Sequence, residues 1–559
     1  MTGRTPPRLR RTALIIEITP LLGLVALTWV WRWQQVKLAV VDPDEVFLLG
    51  GVDRMARGLL PYVDHAEAHM PLFSRLLVPL WTAWREHADF LVAFRLLEWL
   101  AVGVSQILLG VVAWRFGRWR ACAWSLGLLN AFTFYLERTV HVRFEPFAAV
   151  LTLAAFAAFS TRKRPGFGIR EGVAAVLLGL AAASHVSGPF FVAAFVVSLI
   201  VLDGGSNGVR AMRSAFLFGT VAVASWLGVF AIVLGGRLWD GLVALRAGFA
   251  FDAIYQAALR SDLTHFLPGI LRESPVAAAL CIALLVAAHE AVVRQRLRDP
   301  APVLALLLAD LSLGIVLARA PDYPQRYLSV AMFGALAAGF EVARRMIVSR
   351  DGAFRRVAPA VAMLCALALT GQTLVPLTAE DPAPPAFARG PNDVPVPHLS
   401  AEYRVNPDDL LLWWDTGGAA PDAFRSRSRA EYRAVVRFLR EHSDPSEHVF
   451  TDWMNPPLRE LPARHHHGAM IDIFERSGVL AESPGTQAAY RRYNPDYRSF
   501  ARPEETFAAM FDRTTTKIIA LDGSMGRAFR ADANFRAWVV ERYDLILEPR
   551  SEIVFAVRR

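Results

Sequence analysis

Apolar residues along this chain gather into runs of about twenty, the length that carries a helix across the ~30 Å hydrocarbon core of a bilayer. The runs fall at about 12–33, 88–114, 120–138, 144–161, 171–187, 189–203, 214–235, 274–293, 302–318, 326–344 and 357–375, and predict about eleven spans. Between the first two runs the pattern changes. Val46, Leu49, Met55 and Leu59 recur at near-helical spacing, with Asp53, Arg54 and Arg57 elsewhere around the turn, which predicts an amphipathic helix lying on the bilayer surface. Leu72, Leu76 and Leu80 behind Pro71 predict a second surface helix. Residues 236–273 read as one or two more, in a loop able to cover a cavity.

After residue 376 the character changes again. Residues 377–400 form a Pro-rich linker that cannot continue a helix. Beyond it, Ser428 and Glu431 make a capping box ahead of Val435, Val436 and Leu439, and HVFTDW follows as a strand. Pro503 opens a second helix, TKIIALD reads as a buried strand, 532–542 as a third helix and EIVFAVR as a closing strand. The expected organisation is a membrane unit over 1–376, with its first outer loop at 34–87, the linker, and a small α/β domain over 401–559. His465, His466 and His467 suggest zinc, but consecutive side chains diverge and no spaced Cys or His follows, so an exposed loop is expected there.

Composition agrees: the chain has 559 residues, 54% of them hydrophobic, too apolar for an ordinary soluble globule. The formal charge of +9 does not point to nucleic acid, because the basic residues sit in short links between apolar runs rather than in a stripe with aromatics. When alternate links are assigned to the cytoplasm, the clusters Arg115–Arg118–Arg120, Arg162–Lys163–Arg164–Arg170, Arg210–Arg213, Arg294–Arg296–Arg298 and Arg344–Arg356 all fall on that side. Arg4, Arg8, Arg10 and Arg11 ahead of the first run read as an uncleaved signal anchor, and Trp29, Trp31 and Trp33 as an aromatic belt at its far end. The expected location is a bacterial-type cytoplasmic (inner) membrane, with the N-terminus inside and the C-terminal domain outside. All three cysteines, Cys122, Cys281 and Cys365, lie in apolar runs, so no disulfide framework is expected.

Candidate chemistry concentrates just after the first span, where Asp42, Asp44 and Glu45 stand within four positions. As plain electrostatics they suit the first turn of the helix that follows. Asp310 lies near the middle of a span, where an unpaired carboxylate is expensive, and reads as a protonated or hydrogen-bonded acid whose partner the sequence does not name. His65 and His69, four apart with Asp64 and Glu67 nearby, leave a divalent metal open, although Pro71 limits a helix there. Glu145 and Arg143 sit where a span meets the outer surface, as do His141, His185 and Arg326.

The acidic pair after the first span, the surface helix ending in Gly58-x-x-Pro61-Tyr62-x-Asp64, and a basic residue shortly before Pro71 and Leu72 together resemble the first extracytoplasmic loop of the GT-C membrane glycosyltransferases. The likeness is nearest the branch holding protein O-mannosyltransferases and lipid A aminoarabinose transferases. It implies a polytopic α-helical membrane protein of GT-C architecture that transfers a sugar, with inversion, from a polyprenyl-phosphate donor to a lipid, glycan or protein acceptor outside the membrane. Asp44 matches the first acid of the pair and would be the general base, and Glu45 the second. Asp42 stands beside the pair as a substrate contact, and a one-step slip of the motif would exchange these roles. The resemblance also implies a second site acid at Glu145 and donor-phosphate contacts at His69, Arg143 and the Arg326–Tyr327 pair. Interface ion pairing at Arg143–Glu145 and headgroup anchoring at Arg326 are the plainer alternatives. No cofactor is expected. A transporter and a non-catalytic scaffold presenting the C-terminal domain are the competing classes; a transporter needs more mid-membrane polar residues than these runs hold, and a scaffold would tolerate loss of the acidic pair. A ligase or polymerase of lipid-linked polymers is the nearest alternative enzyme.

Overall fold

A computed structural model describes residues 7–38, 43–63, 70–84, 90–162, 166–204, 208–243, 245, 274–295, 300–319, 328–348, 364–365, 367–371, 403–415, 429–444, 446–451, 464–467, 507–549 and 551–559. The membrane unit runs through α1 (Pro7–Leu38), α2 (Pro43–Ala56), α3 (Pro71–Trp84), α4 (Phe90–Asn130), α5 (Thr133–Arg138), α6 (Phe144–Phe159), α7 (Ile169–Ser184), α8 (Gly188–Gly204), α9 (Gly208–Leu234), α10 (Pro275–Gln295), α11 (Pro300–Arg319) and α12 (Leu328–Val348). Among the described residues, Leu91–Asn130, Gly208–Val243 and Pro275–Val293 are long and apolar enough to cross a membrane, with Phe144–Phe159, Gly188–Asp203 and Ala301–Gly314 as shorter apolar helices.

A straight helix over Leu91–Asn130, 40 residues, would be about 60 Å long, twice the hydrocarbon thickness. The chain instead reverses at Arg118, whose φ of 53° and ψ of −145° are not helical. Two antiparallel arms result, 90–117 and 119–130. Gln106 accordingly reaches Asn130 by a 3.1 Å hydrogen bond, Trp114 meets Trp119 edge-on at 4.2 Å, and a Cβ at Gly110 would lie 3.3 Å from Cys122 Sγ. Small residues also set the packing of α12 on the second arm: a Cβ at Gly339 would lie 2.8 Å from the Ala121 carbonyl oxygen and 3.0 Å from the Ser125 nitrogen.

Each of the two first-loop helices buries one face against protein. In α2, Leu48, Leu49 and Val52 are buried with Phe73, Leu77 and Trp81 of α3 against Leu91, Phe94, Val142 and Phe144. The buried face of α3 is thus Phe73–Leu77–Trp81, whereas Leu76, on the stripe that the apolar spacing picked out, is 52% exposed. A helix apolar on two sides gives no local sign of which side meets protein. Asp53 locks the pair by accepting from Trp81 Nε1 at 3.0 Å and pairing with Arg57 at 2.6 Å.

Residues 403–558 hold a six-stranded mixed sheet, β1 (Tyr403–Arg404), β2 (His448–Thr451), β3 (Arg464–His467), β4 (Ile518–Ala520), β5 (Tyr543–Glu548) and β6 (Ile553–Arg558), in the order β1-β5-β6-β4-β2-β3. Its period-two alternation feeds two layers: Phe450 and Ile519 join Leu410, Phe511, Phe529 and Phe535, while Val449, Ile518 and Ala520 join Val435, Phe438 and Leu439. The three histidines expected in a loop form β3, paired in parallel with β2 from His448↔Arg464 to Thr451↔His467. Backbone pairing with a neighbour distant in sequence overrides the weak local strand signal of a histidine run. Ser428 and Pro503 lie outside the described residues.

Candidate active site

Pro43 opens α2 and leaves Asp44 and Glu45 in its first turn, where the helix dipole favours carboxylates. Glu45 is fully buried. Its Oε1 accepts from Arg95 Nε at 2.9 Å and from the Val142 backbone N–H at 2.8 Å; its Oε2 accepts from Arg95 Nη2 at 2.7 Å and faces His141 Nδ1 at 3.3 Å. Burial by itself would push this carboxyl up, but the Arg95 guanidinium and His141 outweigh it and hold the group well below the usual carboxylate range. Three segments, α2, the first arm of α4 and the strand-like turn before α6, therefore converge on one carboxylate.

One helical turn beyond Arg95, on the same face, stands Glu98. It is 1% exposed, and neither carboxyl oxygen has a hydrogen-bond partner. Its charged surroundings are Glu145, Arg143 and Glu45, and the Arg143 backbone N–H faces it. Arg143 is itself buried and precedes α6 in extended conformation (φ −145°, ψ 159°), which places Glu145 in the first turn of α6. Across from Glu145 is His185, in the break between α7 and α8, with Nε2 4.0 Å from Glu145 Oε1. His185 Nδ1 accepts the Ser187 backbone N–H at 3.2 Å, so the imidazole proton lies on Nε2, toward Glu145.

Glu145 also borders a small void lined by Ser105, Tyr135, Thr139, Leu328 and Ser329. Leu328 is the residue that follows Tyr327 in the chain. Behind the void, Arg32 of α1 is wholly buried, donating from Nε to Thr139 Oγ1 at 3.0 Å and from Nη1 to Asn130 Oδ1 at 2.8 Å, with its guanidinium 5.0 Å from the Tyr135 ring centre.

Of the residues singled out from sequence, Glu45, Arg143 and Glu145 come together here, joined by His141 and His185. Asp44 occupies α2 beside Glu45, and its side chain is outside what the structure describes, as are Asp42, His69, Arg326 and Tyr327 altogether. Sequence reasoning missed Arg95, Glu98 and Arg32. The signal was present, since each is an ionisable residue inside an apolar run, and such residues mark functional sites. Asp310, by contrast, belongs to a separate place: its Oδ2 lies 2.9 Å from His289 Nε2, the partner the sequence could not name. Among the described residues no group of three His, Cys, Asp or Glu is placed to hold a metal ion.

No family model matches the chain, and no curated protein matches it. Solved structures do. ArnT from Cupriavidus metallidurans bound to undecaprenyl phosphate superposes with a TM-score of 0.57 at 12% identity, covering 96% of this chain and 97% of that one. Its apo state gives 0.56 at 13% identity. The oligosaccharyltransferase AglB from Archaeoglobus fulgidus, in complex with an inhibitory peptide and a dolichol-phosphate, gives 0.50 at 12% identity, covering 94% of this chain and 72% of that one. The chain has the fold of the GT-C membrane glycosyltransferases.

Proposed function

We propose that the protein is an integral membrane glycosyltransferase that moves a sugar from a polyprenyl-phosphate donor to a lipid, glycan or protein acceptor on the extracytoplasmic side of a bacterial-type inner membrane. The observation that carries this reading is the convergence of Glu45, Arg95, Glu98, His141, Arg143 and Glu145 at one end of a GT-C bundle. The solved neighbours with bound undecaprenyl phosphate and dolichol-phosphate support a lipid-phosphate donor.

In this reading Asp44 takes the proton from the acceptor hydroxyl. The oxygen attacks the anomeric carbon, the bond from that carbon to the phosphate oxygen breaks with its electron pair going to the phosphate, and polyprenyl phosphate leaves as the anion. Inversion at the anomeric carbon follows from a single in-line displacement. Both oxygens of Glu45 are already engaged, so its role is to fix the first turn of α2 and hence Asp44. Arg143, His69 and Arg326 supply positive charge for the leaving phosphate, with Asp42 and Tyr327 as further substrate contacts; such preorganised charge is often the largest catalytic contribution. Glu145 with His185 is the second acidic element, facing the acceptor.

The test is purified Asp44→Asn with a radiolabelled polyprenyl-phosphate sugar, membrane extract as acceptor source and donor binding measured separately. Loss of the base is expected to lower transfer by about 10²- to 10⁴-fold with donor binding retained. Turnover within a few-fold of wild type would remove Asp44 from the role of base.

A further inference from the structure

A second concave feature lies on the outside of the bundle. Between α1 and the first arm of α4 runs an apolar groove of about 680 Å³, from Trp29 and Trp99 at one end to Trp114 and Arg115 at the other. Sixteen residues of helix separate Trp99 from Arg115, about 24 Å, more than the ~15 Å depth of one leaflet of hydrocarbon. Its walls are fixed by the fold. Trp29 Nε1 donates to Gln106 Oε1 at 3.0 Å, and Trp29 meets Trp99 edge-on at 4.8 Å. Gly103 lets the Trp29 ring approach, since a Cβ there would lie 3.0 Å from it, and Cys122 and Leu126 of the second arm form the floor.

Charge divides the two ends. At the Arg115 end, the exposed guanidinium spends one donor on the Ala157 carbonyl at 3.0 Å and keeps others. Arg118 is exposed at the hairpin with no ion-pair partner among the described residues, while Arg120 is already paired with Glu17 at 2.9 Å. The Trp99 end adjoins Glu98 and the acidic cluster. A lipid whose phosphate had to sit among the acids would find no cation of this groove there; a lipid with its anionic headgroup at Arg115 and Arg118 finds two.

We propose that this groove is a binding site for an anionic membrane phospholipid, its phosphate at Arg115 and Arg118 and an acyl chain laid along Val104, Ile107 and Leu126 toward Trp29. The site rests on membrane insertion alone and does not depend on the transfer reaction.

The experiment is native mass spectrometry of the purified full chain in mild detergent, supplemented in turn with phosphatidylglycerol, phosphatidylcholine and undecaprenyl phosphate. Wild type is expected to retain one phosphatidylglycerol in preference to phosphatidylcholine. Arg115→Gln with Arg118→Gln should weaken that retention by about fivefold per arginine. Val104→Trp with Ile107→Trp, both at exposed lining positions, should fill the groove and abolish it. Equal retention of the two phospholipids by wild type overturns the headgroup site. Retention unchanged in the filled variant shows ordinary boundary lipid and overturns the groove. Preferential retention of undecaprenyl phosphate assigns the groove to the donor instead. Should the tryptophan pair fail to fold, the exposed arginine pair still decides, because unchanged retention there is by itself sufficient to reject the proposal.

Discussion

Arg95 grips both oxygens of Glu45 from 50 residues away, at 2.9 and 2.7 Å, in a pocket that exposes neither side chain by more than 1%. The pair joins the loop that carries the acidic motif to the membrane bundle, so whatever Asp44 does, it does from a turn that cannot drift.

Removing one member of such a pair leaves the other buried and uncompensated, which costs about 3 to 5 kcal/mol. Arg95→Met is expected to lower unfolding stability by that order, and Glu45→Gln with Arg95→Met by much less, measured as a double-mutant cycle in detergent. Additive losses would mean that the two residues act separately. The pH dependence has a definite sign: the Glu45 carboxyl is depressed in the folded protein, so its contribution is full above the ordinary carboxylate value of about 4.3 and fades as pH falls below it toward the folded value. Melting from pH 7 down to pH 5 should show no Glu45-dependent loss, and from pH 4 downward Glu45→Gln should lose stability less steeply than wild type.

Glu98 presents the opposite balance. A buried carboxyl whose oxygens lack hydrogen-bond partners costs stability, about 1 to 3 kcal/mol by the usual penalty for an unsatisfied buried group. Glu98→Leu is therefore expected to hold or raise the melting temperature while lowering sugar transfer tenfold or more, as happens when a strained site is relieved. A fall in stability comparable to an ordinary core truncation would make Glu98 a packing residue.

His289 and Asp310 bind α10 to α11 from a half-exposed position, 47% and 46% accessible, with His289 Nδ1 also donating to the Leu285 carbonyl at 2.8 Å. Interhelical hydrogen bonds in membranes average about 0.6 kcal/mol and reach about 1.7. A cycle of His289→Leu and Asp310→Leu should give a coupling in that range, and transfer activity should survive in both. Loss of transfer in Asp310→Leu at wild-type stability would connect this pair to the reaction.

Orientation is testable directly. Because the arginine clusters segregate to one side when alternate links are assigned to the cytoplasm, a reporter active only outside the cytoplasm should work when fused after residue 400 and fail after residue 165. The reverse result at either site would break the proposed topology.

The sequence by itself determined where helices lie in the membrane unit, because span length and apolar character are properties of a local run of residues. The expected spans at 144–161 and 274–293 coincide with the helices Phe144–Phe159 and Pro275–Gln295, and the one at 88–114 with the first arm of α4, whereas the run at 120–138 is broken at residues 131–132 between the second arm of α4 and α5. The acids at the start of α2 were legible for the same reason, since a helix start is a local electrostatic event. Tertiary structure alone decided which side of α3 faces protein, that three histidines form an edge strand, that Glu45 is held by Arg95, Val142 and His141, and that Glu98 lies among Glu45, Arg143 and Glu145. Each of these depends on partners up to about a hundred residues away, and the burial that sets a carboxylate's role arises only when those segments meet.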